Sequence, residues 1–477
     1  MATVSLPVAL ATLLCLSTAA PTQLPVDRVV GRWDQPPHKV PSDSVVDGPL
    51  FGNGNFAGVL SSDAGGADMG PSCAAPPCKP SRGEVRHFVG MNDFYAAPTN
   101  GFSSCGYPDL DGSNKPGMKQ VGGVTFVAKE LGDTPRLTFR AEQRPSNGTV
   151  LVELAGAGVR LSVRTWAHAT KPLMLTELTY VAEPSAPRQQ LEVQVEAWTV
   201  LGCGMGPNPL VEDSFLPVAT GVSATRPAPA AAAGGTGGPM AIWASRDNGF
   251  EYQQQPGVYN LTRAVVASAV LPGGGASFHS ALRQQHCLPP AAATQHYGGS
   301  YLPCAVGNLT LGAGQTVTVA TVVVSDRQLG WAEPPLQFAL RTLGELAQSG
   351  ALAPGGALRE EHALWWRQYW SRSWIDWYPR PGASNANGTQ LLMDMYYQNL
   401  YILALNAAPN STAAPGLYGS FVTEDQMLWA GDLTLNYNAE ACVALSARSP
   451  RTTLSHTAAL HAFSLLHPES RQDVHLG

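Results

Sequence analysis

The sequence predicts a β-rich multidomain chain, a large β-sandwich followed by helices in pairs. Three observations predict it. Apolar residues alternate at period two through residues 150–198, the period turns helical after Asp326, and glycine (49) and proline (39) are frequent while charged residues make up only 13%. At 477 residues the chain also exceeds one ordinary core, so two or three domains are expected.

The alternation is carried by Val150, Val152 and Leu154, by Val159, Leu161 and Val163, and by Leu191, Val193 and Val195, with polar residues between. Such runs bury one face and wet the other, as half-buried antiparallel strands do. The pattern recurs at 262–270 and 316–324 between Pro/Gly turns, so residues 21–330 are expected to form the sandwich. Within it, residues 223–239 are a low-complexity Ala/Gly/Pro run, expected to be a disordered loop insertion.

Beyond Asp326 the spacing predicts four helices. The first covers 333–348, with Leu336, Leu340 and Leu343, and the second about 357–371, with Leu364, Trp365 and Tyr369. A third covers 391–406, with Met395, Leu400 and Leu403 inward, and a final one covers about 452–466.

Composition excludes some functions. A formal net charge of −6 and a pI near 6.0 leave no electrostatic footprint for nucleic acid. Residues 4–20 are an apolar stretch ending in small residues, short for a membrane span but suited to a secretory signal cleaved after Ala20, although the first three residues carry no Lys or Arg. No later segment has about 18 consecutive apolar residues, so a secreted or lumenal product without a membrane partner is expected.

Cysteine use and glycosylation motifs agree with that route. Local disulfides are expected for Cys73/Cys78 and Cys287/Cys304, with Cys105/Cys203 a weaker pair and Cys442 a buried free thiol. Asn-x-Ser/Thr sequons occur at Asn147, Asn260, Asn308, Asn387 and Asn410. Neither Cys-x2-Cys nor His-x3-His spacing is present, so no metal and no cofactor are expected. His87, His168 and His362 fall in strand and helix patterns and read as structural or solvent-facing, and Gly52-Asn-Gly54, lacking a βαβ context, reads as a turn.

The chemistry concentrates at 429–440, Trp429-Ala-Gly-Asp432-Leu-Thr-Leu-Asn436-Tyr-Asn438-Ala-Glu440. A pyranose offers an apolar ring face and a rim of hydroxyls, so a site for it needs a flat aromatic together with amides and carboxylates. Trp429, Asp432, Asn436, Asn438 and Glu440 supply those groups. Asn436 and Asn438 share a face only in extended or irregular backbone, as where a loop enters a helix capped by Asn438. The alternative is that Asn438 is only a helix cap and Trp429 only core.

Four segments resemble one family in the right order. Pro49-Leu-Phe-Gly-Asn-Gly-Asn-Phe-Ala-Gly58 resembles the N-terminal signature of family-95 α-L-fucosidases and related six-hairpin glycosidases, and Phe88-Val-Gly-Met-Asn-Asp-Phe-Tyr95 is similar to the segment following it in a related branch. Trp365-Trp-Arg-Gln-Tyr-Trp-Ser-Arg-Ser-Trp374 is similar to the linker helix before the catalytic barrel, and 429–440 to the segment entering that barrel. The resemblance implies a β super-sandwich, a helical linker over 331–380 and, from 381 to 477, the start of an (α/α)6 toroid. It also implies hydrolysis of a glycosidic bond with inversion, by a carboxylic acid and a carboxylate base on opposite faces of the sugar. Asn436 and Asn438 match the asparagines that orient the water and its base in that family.

The chain departs from the family in length. Twelve helices of about 11 residues with connections need roughly 250 residues, whereas about 100 follow the linker. The toroid is therefore expected to be incomplete and the acid/base pair absent, since nothing matches Glu424, Asp425, Asp432 or Glu440 to it. The expected function is that of a carbohydrate-active protein, a glycoside hydrolase by resemblance, with carbohydrate as its ligand. The alternatives are a catalytically inactive carbohydrate-binding protein or a truncated product, and, more remotely, phosphorolysis on the same architecture.

Overall fold

The structure, a computed structural model, describes residues 23–427 except 43, 64–81, 97–116, 133–136, 157, 183–188, 201–217, 226–238, 248–261, 272–276, 288–301, 350–355, 373, 379–385, 408–410, 417 and 425–426. The first strands in chain order are β1 (Gly31–Trp33), β2 (Leu50–Gly52), β3 (Phe56–Ser62), β4 (Glu84–Ala96), β5 (Gly117–Ala128), β6 (Thr138–Arg144), β7 (Thr149–Gly156) and β8 (Val159–Ala167). They are followed by β9 (Leu173–Ala182), β10 (Gln190–Trp198), β11 (Val218–Ala224), β12 (Met240–Asp247), β13 (Arg263–Val270), β14 (Ser280–Cys287), β15 (Leu302–Gly312) and β16 (Thr316–Ser325). Three helices come after them, α1 (Pro335–Ser349), α2 (Ala357–Ser371) and α3 (Ala386–Asn406).

The strands form two antiparallel sheets. One has nine strands in the order β1-β6-β7-β8-β9-β16-β13-β12-β11, the other seven in the order β14-β15-β10-β5-β4-β3-β2. The alternating residues meet between them: Val150, Val152, Leu154 and Leu161 pack with Phe126, Val193, Val195 and Leu309 in one buried cluster. Each such side chain contributes about 1.5–3 kcal/mol on leaving water, which fixes the strand register.

Where helices cover the outside, alternation disappears. In β13 every residue from Ala264 to Val270 is buried, because Ala264 and Val266 face the other sheet while Val265 and Ala267 meet α1 through Ala339 and Leu343. Cys287 and Cys304 are bridged, as expected from their spacing, with Cα atoms 6.0 Å apart. Cys73, Cys78, Cys105, Cys203 and Cys442 lie outside the described residues, as does most of the low-complexity run.

α2 is fastened to the sandwich by aromatics. Trp366, Tyr369 and Trp370 are buried against Tyr397 and Tyr401 of α3, and Trp370 Nε1 donates to the Pro145 carbonyl at 3.0 Å. Pro145 belongs to the β6–β7 hairpin, where Gly148 sits at φ 63° and a Cβ on it would lie 2.5 Å from Trp366 Nε1. Only glycine meets both demands.

The partial (α/α)6 toroid expected after the linker is not what the described residues form. They hold three helices, and all three are laid on the strands: α1 on β13 and β16, α2 over the β6–β7 hairpin, and α3 against β2 and β3. The expected inward face of α3 is also corrected. Met395 is 52% exposed, whereas Met393, Tyr397, Tyr401 and Leu405 are buried. The tyrosines decide that orientation, because their rings fill the contact while their hydroxyls reach backbone carbonyls, Tyr397 that of Ile375 at 2.7 Å and Tyr401 that of Leu50 at 3.0 Å. Leu364 of α2 likewise faces out, at 48% exposure. No helix among the described residues is long and apolar enough to cross a membrane.

Candidate functional site

Trp429, Asp432, Asn436, Asn438 and Glu440, together with the last expected helix, lie outside the described residues, which end at Met427. The structure does describe parts of the chain leading towards them, residues 406–407, 411–416 and 418–424, and the polar seam that holds these to the sandwich.

The seam starts in the turn after β2. Asn53 Oδ1 accepts the backbone N–H of Asn55 (3.1 Å) and of Phe56 (3.3 Å), while its Nδ2 donates to the carbonyls of His168 (3.0 Å) and Lys171 (2.7 Å). A short amide side chain that bonds its own backbone sets such turns locally. Gly54, at φ 88°, then donates its N–H to the carbonyl of Leu405 at 2.8 Å. The Gly-Asn-Gly run is a turn, as expected, and it caps the C-terminus of α3, whose last carbonyls have no partner within the helix.

Asn92 of β4 completes the clasp. Fully buried, it donates from Nδ2 to the carbonyls of Gly54 and Asn406, the latter at 2.9 Å, and accepts at Oδ1 from the Ser420 hydroxyl. Ser420 N–H donates in turn to Asn406 Oδ1 at 2.8 Å. The strap over 418–422 can approach β4 because residue 90 is glycine: a Cβ there would lie 2.4 Å from the Ser420 carbonyl. Further fasteners are Ser411 Oγ to the Gly54 carbonyl (2.6 Å), Thr412 N–H to Asn55 Oδ1 (3.2 Å), and Thr423 Oγ1, which pairs with the backbone of Ser42.

Next to Asn92 lies a carboxyl group. Asp93, 3% exposed, accepts at Oδ2 from Ser325 Oγ (2.6 Å) and Thr412 Oγ1 (3.1 Å), and its Oδ1 has no hydrogen-bond partner among the described residues. Burial pushes this carboxyl above the usual carboxylate range, against the opposing pull of the two hydroxyls and of Arg327. A carboxyl so held can carry a proton where a free one would not. In the adjoining loop Trp331 has left-handed backbone (φ 55°) and is 47% exposed, with its backbone N–H donating to the Asp326 carbonyl at 2.9 Å. A tryptophan rarely adopts that conformation.

Of the two readings the sequence leaves for the three histidines, the structure shows them buried and not solvent-facing. His87 Nε2 contacts Thr165 Oγ1 at 2.8 Å, His168 Nε2 donates to the Leu358 carbonyl at 3.2 Å, and His362 Nε2 donates to the Asn147 carbonyl at 2.8 Å. Burial lowers His87 to about 3 and His168 and His362 to about 4, so all three are neutral at pH 7. Among the described residues no group of three or more His, Cys, Asp or Glu side chains is placed to hold a metal ion.

Asn92, Asp93, Asn406 and Ser420 carry this site and were not singled out individually by sequence reasoning. The available signal was the Asn-Asp pair between Met91 and Phe94, since amides and carboxylates are disfavoured inside strands unless something pairs with them.

No protein-family model matches the chain, and no curated protein matches its sequence. Its structure is similar to that of a putative kojibiose phosphorylase from human microbiome, with a TM-score of 0.50 at 9% identity over 87% of this chain and 46% of that one. It also aligns with a bacterial glucoamylase complexed with acarbose (TM-score 0.40, 11% identity, 90% of this chain and 52% of that). A third alignment is with the family GH92 α-mannosidase from Bacteroides thetaiotaomicron (0.27, 11%, 76% and 38%). The chain thus spans about half the length of the first two structures. The likeness to the phosphorylase is one of fold, and the finer likeness to fucosidases rests on the sequence motifs alone.

Proposed function

We propose that this chain is a carbohydrate-active protein of the glycoside hydrolase and phosphorylase type, in which residues 429–440 bind a pyranose and the sandwich seam fixes where they start. The observation that carries this reading is the clasp of Asn92, Asn406 and Ser420, which anchors the strap leading directly into a segment holding an indole, two amides and two carboxylates. The fold shared with the putative kojibiose phosphorylase supports the same class.

In this reading Trp429 stacks on the sugar ring, Asp432 and Glu440 bind hydroxyls, and Asn436 and Asn438 orient a water. Inverting hydrolysis needs in addition an acid and a base, and the family resemblance assigns neither to a residue of this sequence. A second reading is a carbohydrate-binding protein without turnover, which the same indole and amides would serve. Secretion through a cleaved leader over residues 1–20 is part of the proposal.

The test is to incubate the full chain with kojibiose, maltose and aryl α-fucosides and α-mannosides, with and without inorganic phosphate. Cleavage that disappears in Asn438→Ala, with the fold retained, supports the enzyme. Saturable binding without cleavage supports the binding protein. Neither binding nor cleavage with any of these sugars would overturn both.

A further inference from the structure

We infer that Asn147, at the tip of the β6–β7 hairpin, carries an N-linked glycan in the mature protein, whereas the sequon at Asn308 stays bare. The inference rests on the secretory reading above and asks which sequons the fold leaves able to bear a sugar.

At Asn147 the backbone and the side chain face different surroundings. The hairpin loop is pinned from one side by α2: His362 Nε2 donates to the Asn147 carbonyl at 2.8 Å, Trp370 Nε1 donates to the Pro145 carbonyl at 3.0 Å, and Gly148 lies against the Trp366 indole. The Asn147 residue is nevertheless exposed. Its Oδ1 accepts from the hydroxyl of Thr149, the third residue of its own sequon, at 2.7 Å. Its Nδ2, the atom to be modified, makes no hydrogen bond with any described residue. A sugar at this nitrogen breaks no contact of the fold and projects into solvent.

Asn308 differs on each point. It sits inside β15, paired with Gln194 of β10 on one side and Ser280 of β14 on the other, and its Nδ2 donates to Ser280 Oγ at 2.8 Å. A glycan there would replace one hydrogen of a nitrogen already tied to the neighbouring strand and would stand between β10 and β14.

The transfer is chemically ordinary. The donor is an oligosaccharide linked through diphosphate to a lipid. A bond forms from Asn147 Nδ2 to the sugar C1 while the C1–O bond to the diphosphate breaks, the lipid diphosphate leaves, and the amide proton passes to a base of the transferase.

Peptide mapping decides the matter. The full chain is produced in a eukaryotic secretory host and treated with an amidase that converts glycosylated Asn to 18O-labelled Asp. The expected result is label at Asn147 in most molecules and none at Asn308. A chain glycosylated elsewhere but bare at Asn147, or glycosylated at Asn308, overturns the inference and leaves the secretory reading standing. A chain retained in the cytosol without any glycan overturns the secretory reading instead. The same mapping behind a heterologous cleavable leader then decides Asn147, and an unlabelled Asn147 there overturns the inference as well. Loss of one glycan-sized gel step in both Asn147→Gln and Thr149→Ala would corroborate the site independently of the mapping.

Discussion

Asn92 donates from its side-chain amide to the main-chain carbonyl of Asn406 at 2.9 Å, joining a sandwich strand to the end of a helix 314 residues further along the chain. Around that bond the hydroxyl of Ser420 also depends on Asn92, while the Gly54 carbonyl is shared between Asn92 and Ser411. Replacing Asn92 with alanine strands the Asn406 carbonyl and the Ser420 hydroxyl together, each costing about 1–3 kcal/mol. Asn92→Ala is therefore expected to lose about 3 kcal/mol in urea unfolding. Asn92→Asp, which keeps the acceptor for Ser420, is expected to lose less at low pH than at neutral pH. A loss below about 1 kcal/mol for the alanine variant would mean that the seam does not hold the strap.

Gly148 and Trp366 make a second contact that tolerates no substitution. Alanine at 148 must adopt φ 63° and place its Cβ 2.5 Å from the indole nitrogen. Gly148→Ala is expected to destabilise by about 2 kcal/mol or more, since strain and collision act in the same direction. Unfolding midpoints of the variant and the parent check it, and unchanged midpoints would place α2 elsewhere.

Acid is expected to weaken the fold through three histidines. His87 titrates at about 3 and His168 and His362 at about 4 when folded, against about 6.5 when unfolded. Between those values the unfolded chain binds more protons, so stability falls as pH drops from about 6.5 towards 4 and rises again with pH. Each histidine contributes a slope of up to about 1.4 kcal/mol per pH unit in that window. Urea unfolding at pH 7 and pH 5 measures the slope, and His362→Gln should reduce it by one proton's worth. A flat profile from pH 7 to 5 would show the imidazoles to be solvated.

Opening the Cys287–Cys304 bridge, which spans 17 residues, is expected to cost about 3 kcal/mol. The double variant Cys287→Ser, Cys304→Ser compared with the parent in urea gives the figure. Equal stability would contradict a bridge formed in the mature protein.

Much of the sandwich was legible because a sheet with one wet face writes its burial into every second residue. Val150, Val152, Leu154, Leu161, Val193 and Val195 are all buried as the alternation requires. The face of α3 was not legible, since Leu391, Leu392, Met395 and Ile402 are as apolar as the residues that pack, and the tyrosines that dock carry hydroxyls. The expected toroid came from motifs in the linker and beyond it, and a motif in one helix does not determine how many helices assemble around it. The seam was hidden for another reason: Asn92, Asn406 and Ser420 are single polar residues hundreds of positions apart or in irregular chain, without a period to betray them. Of the residues proposed to bind sugar, Trp429, Asp432, Asn436, Asn438 and Glu440, none falls within the described chain, so their chemistry remains as the sequence presents it.

The central claim is that residues 429–440 bind a pyranose, and calorimetric titration of the full chain with kojibiose, maltose and the aryl fucosides and mannosides tests it most directly. The expected result is saturable binding to at least one of them, weakened at least about tenfold in Trp429→Ala, as loss of a stacking indole and its buried area would produce. No binding heat with any of these sugars, or equal affinity in Trp429→Ala, would contradict it.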